Sequence, residues 1–216
     1  MSPLIRILVL SLLLGGCSGK KVDENDPASL TQDAEEEIKN DHFQLAVDKL
    51  RVIKNKFPYS NYSIEAQLRI ADVYFLQESY GEAALSYESF RDLHPKHEKV
   101  PYAMYKIAKS HFNDIPSTVA RDLTPAQKSL DAYLEFLKKF PTAPEAEEAK
   151  KDATHVRDLL AEKELYIGDF YFKRAQLDSA KGRYSKIMDL YPGTPSATHA
   201  KEKLALISEK YPELKK

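Results

Sequence analysis

Apolar residues recur along this chain three or four apart, the spacing of one helix face, and no segment alternates apolar and polar residues as a half-buried strand would. Three segments share one arrangement of small positions. Ala34, Ala46 and Pro58 are separated by twelve and twelve residues, and Ala71, Ala83 and Pro95 repeat the interval, as do Gly168, Ala180 and Pro192. Four residues past the second small position, and three further on, stand Leu50 and Ile53, Tyr87 and Phe90, Tyr184 and Ile187. Each pair falls on one helix face. A methyl group or a hydrogen lets two helix axes approach, so the small residues predict helix crossings and the prolines predict helix stops. Thirteen residues separate each stop from the next small position, as in Pro58 to Ala71, Pro95 to Ala108 and Pro192 to Ala205. The stops share a signature of a ring, a proline, polar filler and an alanine nine past the ring: FPYSNYSIEA, HPKHEKVPYA, FPTAPEAEEA and YPGTPSATHA.

The third unit keeps Ala108 and Pro141 but places its second small residue, Ser129, twenty-one residues after the first, a nine-residue insertion. Thr124 is predicted as the N-cap of the following helix, with Pro125 at its first position and Gln127 at its third. No breaker lies between Pro144 and Gly168, which predicts one strut-like helix of about 45 Å joining the third and fourth units. The last unit supplies only a first helix, around Ala197 to Tyr211. The chain is therefore expected to be all-α with about nine helices. A hairpin of this kind cannot bury its own apolar face and must stack on its neighbours. The spacing resembles the tetratricopeptide repeat, which implies a right-handed α-α solenoid, a helical-repeat superhelix.

The balance of 43% hydrophobic and 30% charged residues suits a folded body, and 33 acidic against 32 basic groups leave no global field for nucleic acid or an anionic membrane. Partners must be recognised locally. The single cysteine, Cys17, excludes an intramolecular disulfide and a cysteine-based metal cage. Ahead of it, Arg6 and an apolar run from Ile7 to Leu14, broken only by Ser11, are too short for the roughly 20 residues of a spanning helix. They read as a signal peptide over residues 1–16. Leu14-Gly15-Gly16-Cys17 resembles the lipobox of bacterial lipoproteins. That resemblance implies cleavage before Cys17, diacylglycerol on its sulfur and an acyl chain on the freed amine, with about 0.8 kcal/mol of membrane affinity per buried CH₂. Ser18, where lipoproteins retained in the inner membrane typically carry Asp, points by the same resemblance to the outer membrane. Residues 17–28 read as a polar tether, 29–113 as N-terminal repeats and 114–216 as C-terminal repeats with the long connecting helix.

Three stretches carry a closer resemblance: FPYSNYSIEAQLRIADVYF at 57–75, HPKHEKVPYAMYKIAKSHF at 94–112 and FPTAPEAEEAKKDATHVRDLLAEKELYIGDFYFKR at 140–174. With the lipobox, they resemble the BamD family of outer-membrane assembly lipoproteins. The resemblance implies a non-enzymatic scaffold on the periplasmic face of the outer membrane. Its C-terminal half would bind a barrel-forming subunit of BamA type, its N-terminal half would receive unfolded outer-membrane protein chains, and accessory lipoproteins are further possible partners. The insertion after His111 is shorter than usual for the family and the fifth repeat lacks its second helix, so a periplasmic repeat adaptor for peptidoglycan or envelope machinery stands as the alternative. Such adaptors usually carry an N-terminal coiled coil, and residues 18–28 have no heptads.

In a stacked superhelix the first helix of each pair lines the inner surface. Positions six and three before, and one and four after, the small residue give Ala28, Thr31, Glu35 and Ile38 in the first unit. The second unit gives Glu65, Leu68, Asp72 and Phe75, and the third Tyr102, Tyr105, Lys109 and Phe112. Apolar rings with a few charges suit a peptide groove, in which Lys109 is expected to attract a chain-terminal carboxylate; the same rings are also suited to packing repeat on repeat. The fourth unit gives Glu162, Leu165, Asp169 and Phe172 as partner-binding candidates. No catalytic constellation stands out: there is no Gly-x-Ser-x-Gly, no glycine-rich phosphate loop and no His-x-x-x-His pair. No metal site and no cofactor beyond the acyl groups on Cys17 are expected. His94 and His97 read as an exposed polar pair. Glu35-Glu36-Glu37 and Glu145-Glu147-Glu148 read as solvated faces in early helical turns.

Overall fold

The computed structural model describes residues 22–211, so the signal peptide, Cys17 and the start of the tether lie outside the described residues. Nine α-helices and no strand occur among them: α1 (Pro27–Lys39), α2 (Phe43–Lys56), α3 (Asn61–Leu76), α4 (Tyr80–Leu93), α5 (Val100–Asn113), α6 (Thr124–Lys139), α7 (Ala146–Lys173), α8 (Leu177–Leu190) and α9 (Pro195–Lys210). Each helix packs on the next, and α1 meets α3, α5 meets α7 and α7 meets α9. This is an all-α tetratricopeptide-like solenoid.

The small residues sit at the crossings. Ala34, Ala46, Ala71, Ala83, Ala108, Ser129 and Ala180 are all fully buried. In the third unit the Ser129 hydroxyl donates to the Ala108 carbonyl at 3.0 Å, so the insertion leaves the crossing intact. The apolar pairs fill the seams: Leu50, Ile53, Tyr87, Phe90, Tyr133, Phe136, Tyr184 and Ile187 are at most 1% exposed.

The ring before each proline is the C-cap of the second helix of its unit. Phe57, His94, Phe140 and Tyr191 have φ between −125° and −134° and ψ between 45° and 59°, and each N–H still closes on the carbonyl four residues back. The following proline disfavours the helical region for its predecessor, which turns the chain out of the helix there. The turns inside the units follow a second rule. Asp41, Glu78 and Ala175 have φ of 59°, 60° and 56°. In each turn the N–H after the left-handed residue returns to a carbonyl five back, as in His42 to Glu37, Ser79 to Tyr74 and Gln176 to Tyr171. This is a Schellman closure built without glycine. Ala175 lacks the local hydrogen bonding that eases Asp into this region. Ala175→Gly is therefore expected to raise the thermal midpoint, by about 0.5–1 kcal/mol of stability, whereas a lowered midpoint in a melting curve would show that the turn is not left-handed in solution.

Several local expectations are corrected. Helix α1 starts at Pro27, inside the stretch read as tether, because Asp26 caps it through the N–H groups of Ala28 and Ser29. Thr124 is the first residue of α6 rather than its cap; Leu123 holds the cap position, and Asp122 Oδ1 accepts from the Thr124 N–H and hydroxyl. A capping box with Gln127 is not formed, since that side chain donates to Asp131. Glu35, Glu36 and Glu37 lie in the second half of α1, and Glu35 and Glu37 are ion-paired rather than simply solvated, with Arg69 and Lys49. His94 and His97 rest on Phe90, ring centroids 5.3 and 5.2 Å away, as half-buried lids. Helix α7 spans 28 residues, about 42 Å, and carries Glu147 and Glu148 in its first turn as expected. On α9 Thr198, Glu202, Ala205 and Glu209 are exposed.

Candidate functional site

Five of the eight inner positions of the first two units come together, while Ile38 is taken into the core. Thr31 and Glu35 on α1, Glu65, Leu68 and Asp72 on α3, and His97, Glu98 and Lys99 in the α4–α5 turn line one concavity of about 290 Å³. A second, of about 450 Å³, continues past Glu98 and Lys99 to Tyr102 and Phe140. One polar network forms the floor. Arg69 grips Glu35 with a two-pronged contact, Nε to Oε1 and Nη2 to Oε2, both at 2.6 Å, and its Nη1 lies 3.5 Å from Asp72. Asp72 Oδ1 also accepts from the hydroxyls of Tyr87 (2.6 Å) and Tyr102 (2.8 Å). Glu35 holds the guanidinium above its ordinary pKa, and burial, reinforced by Asp72, pushes both tyrosines up. The network ties α1, α3, α4 and α5, and leaves Leu68 and Phe75 as the apolar part of the face. Its carboxylates are occupied, Glu35 by Arg69 and Asp72 by Arg69 and the two tyrosine hydroxyls.

The rest of the third unit is covered. Tyr105 is 7% exposed, with its ring against Tyr133 and Phe136 at 6.3 and 5.8 Å; it is a core residue. Phe112 packs on Tyr133 and His155. Lys109 does not wait for a ligand: its Nζ bonds Glu148 at 2.8 Å and Asp152 at 2.7 Å, both on α7. Burial alone would lower its pKa, but these two carboxylates outweigh it and hold the ammonium above its ordinary value. Asp152, 8% exposed, also accepts from Tyr133 at 2.8 Å. The reason is a substitution of roles between units. Asp72 and Asp169 stand one residue past their small position and receive Tyr87 and Tyr184 within their own unit. The third unit has Lys109 there, and the carboxylate arrives from α7 instead.

In the fourth unit Glu162 is exposed, whereas Leu165 and Phe172 pack against the core and Asp169 accepts from Tyr184 at 2.7 Å. The rings on the surface are Tyr166 and Phe170, 53% and 46% exposed, with Arg174 over Phe170 at 4.3 Å. The offset rule misses them because they lie two before and two after Gly168, yet their i, i+4 spacing on one helix was a readable signal. On the same helix Glu164 is 8% exposed and receives Arg183 at 2.8 Å and Lys186, both on α8. Burial would raise its pKa; the hydrogen bonds from Lys186 and Arg183 win and lower it from 4.5. A carboxylate depressed on folding contributes stability above its unfolded pKa and loses it as pH falls through the folded one. The thermal midpoint is thus expected to fall from about pH 5 downward, and less steeply in Glu164→Gln; a variant as steep as the parent would remove Glu164 from this account.

Among the described residues no group of His, Cys, Asp and Glu is placed to hold a metal, and no helix is long and apolar enough to cross a membrane. Residues 23–216 match the family described as YfiO, outer membrane lipoprotein. The chain is similar to the outer membrane protein assembly factor BamD of Rickettsia prowazekii, 31% identical over 209 residues covering 95% of this chain and 81% of the relative. It is 27% identical over 207 residues to the protein of that name from Vibrio cholerae (91% and 86% covered) and 26% identical over 234 residues to that from Neisseria gonorrhoeae (100% and 86% covered).

Proposed function

The chain belongs to the YfiO family of outer membrane lipoproteins, and from that premise we propose that it is a non-enzymatic scaffold of the machinery that assembles β-barrel proteins into the outer membrane. The observation that carries this reading is the span of the match, which takes in every helix of the solenoid, insertion and strut included. It is supported by relatives named as outer membrane protein assembly factors, each covered over four fifths or more of its length. The proposed anchor is acylated Cys17, holding the protein on the periplasmic face, a reading supported by the lipobox-like Leu14-Gly15-Gly16-Cys17.

The two halves offer different surfaces. The N-terminal half presents the open inner face with Leu68, Phe75 and Tyr102 beside the Arg69–Asp72 network, suited to an extended, unfolded chain whose side chains alternate between apolar and polar sites. The C-terminal half presents Glu162, Tyr166 and Phe170 on a rigid helix, suited to a folded partner, since exposed aromatic anchors dominate protein interfaces; this is the proposed contact for the barrel-forming subunit. Affinity capture of the lipidated protein from detergent-solubilised envelopes tests the reading. Recovery of the large barrel-forming subunit is expected. Recovery of peptidoglycan enzymes without it would replace the reading by that of an envelope adaptor.

A further inference from the structure

Three cations stand on α3 and α5, the helices that face each other across the open inner surface: Arg69, Lys106 and Lys109. Carboxylates hold two of them, Glu35 and Asp72 on Arg69, Glu148 and Asp152 on Lys109. Lys106 has no such partner among the described residues. Its ammonium lies 3.4 Å above the centroid of Phe75 and 5.9 Å from that of Tyr102. The nearest carboxylates are committed elsewhere, Asp72 to Tyr87, Tyr102 and Arg69 and Glu148 to Lys109. The side chain is half-buried, and burial, outweighing the more distant attraction of Asp72 and Glu148, lowers its pKa from 10.5. The rings hold the charge in place without neutralising it, so a ligand need not order the side chain.

We propose that Lys106 is the anion-receiving residue of the inner face and that it takes a peptide carboxylate, either a chain terminus or an Asp or Glu side chain. The proposal rests on the reading of this face as a peptide groove. It moves the charge expected at Lys109 one helical turn toward the amino end of α5, to the cation whose valence is unspent. A carboxylate there would form a charge-assisted hydrogen bond beside the rings of Phe75 and Tyr102.

Three synthetic decapeptides of one alternating aromatic and polar sequence test this by fluorescence anisotropy with the full-length protein in detergent: a free C-terminal acid, the C-terminal amide, and the amide with one internal Glu. The acid, the Glu-containing amide, or both are expected to bind about tenfold tighter than the plain amide, and which of them gains identifies the source of the carboxylate. The preference is expected to vanish in Lys106→Met and to survive in Lys106→Arg, with circular dichroism unchanged in both. Equal binding of all three peptides by the parent protein, or a preference retained in Lys106→Met, overturns the proposal and leaves the groove reading standing. Binding of none overturns both.

Discussion

Lys109→Met is expected to shift the urea midpoint down by about 1–2 M, a loss of roughly 3 kcal/mol. Asp152, 8% exposed, would keep only the Tyr133 hydroxyl, and Glu148 would lose its cation. An uncompensated buried carboxylate is far more costly than the pair it came from is stabilising. The same reasoning predicts the remedy: Lys109→Met with Asp152→Leu and Tyr133→Phe, which replaces the pair and the hydroxyl it holds by apolar volume, should recover most of the loss. A combined variant no more stable than Lys109→Met would mean that Lys109 and Asp152 do not meet in solution. Because the pair joins α5 to α7, the single variant is also expected to let the C-terminal helices melt ahead of the N-terminal ones, as stacked repeats coupled only to their neighbours do.

Gly168→Ala and Gly182→Ala are expected to change stability in opposite directions. Both glycines lie inside helices, where alanine is favoured by about 0.8–1 kcal/mol. A methyl group at Gly182 meets nothing within 4 Å, so that gain should appear undiminished in the thermal midpoint. At Gly168 the new carbon would stand 2.6 Å from Cε1 and 2.9 Å from Cδ1 of Tyr184. That ring cannot step aside, being fully buried with its hydroxyl held by Asp169. Overpacking of this kind typically costs 1–3 kcal/mol, so, set against the alanine gain, a net loss of up to about 2 kcal/mol is expected. Tyr184→Leu in the same chain should remove the clash and restore the sign seen at Gly182. The other units carry Ala34, Ala71 and Ala108 at this position; glycine is needed where α7 and α8 come closest.

What the sequence disclosed was local. Crossings marked by alanine and glycine, and helix stops forced by a ring before proline, depend on residues within one or two turns, so the twelve, twelve and thirteen register can be read directly. The turns at Asp41, Glu78 and Ala175 were hidden because no glycine announces them. The inner face of the second unit was legible for the same reason as the register, and Leu68 and Asp72 lie where the offsets put them, along one concavity. The third unit was not. The partners of Lys109 are 39 and 43 residues away across the insertion, and the offset rule takes every first helix to be open on its inner side, whereas α7 covers Tyr105, Lys109 and Phe112. Tyr166 and Phe170 escaped for the opposite reason: the rule selected Leu165 and Phe172, which the core had already claimed.

We propose that one rigid solenoid holds two partners on separate halves, an unfolded chain on the inner face and a folded barrel-forming subunit on α7. Site-specific photo-crosslinking in intact envelopes tests it most directly, with a photoreactive phenylalanine placed at Leu68 or at Phe170. Leu68 is expected to capture a range of unfolded outer-membrane proteins and Phe170 the barrel-forming subunit. Capture of the same partners from both positions, or of neither class from either, would contradict it.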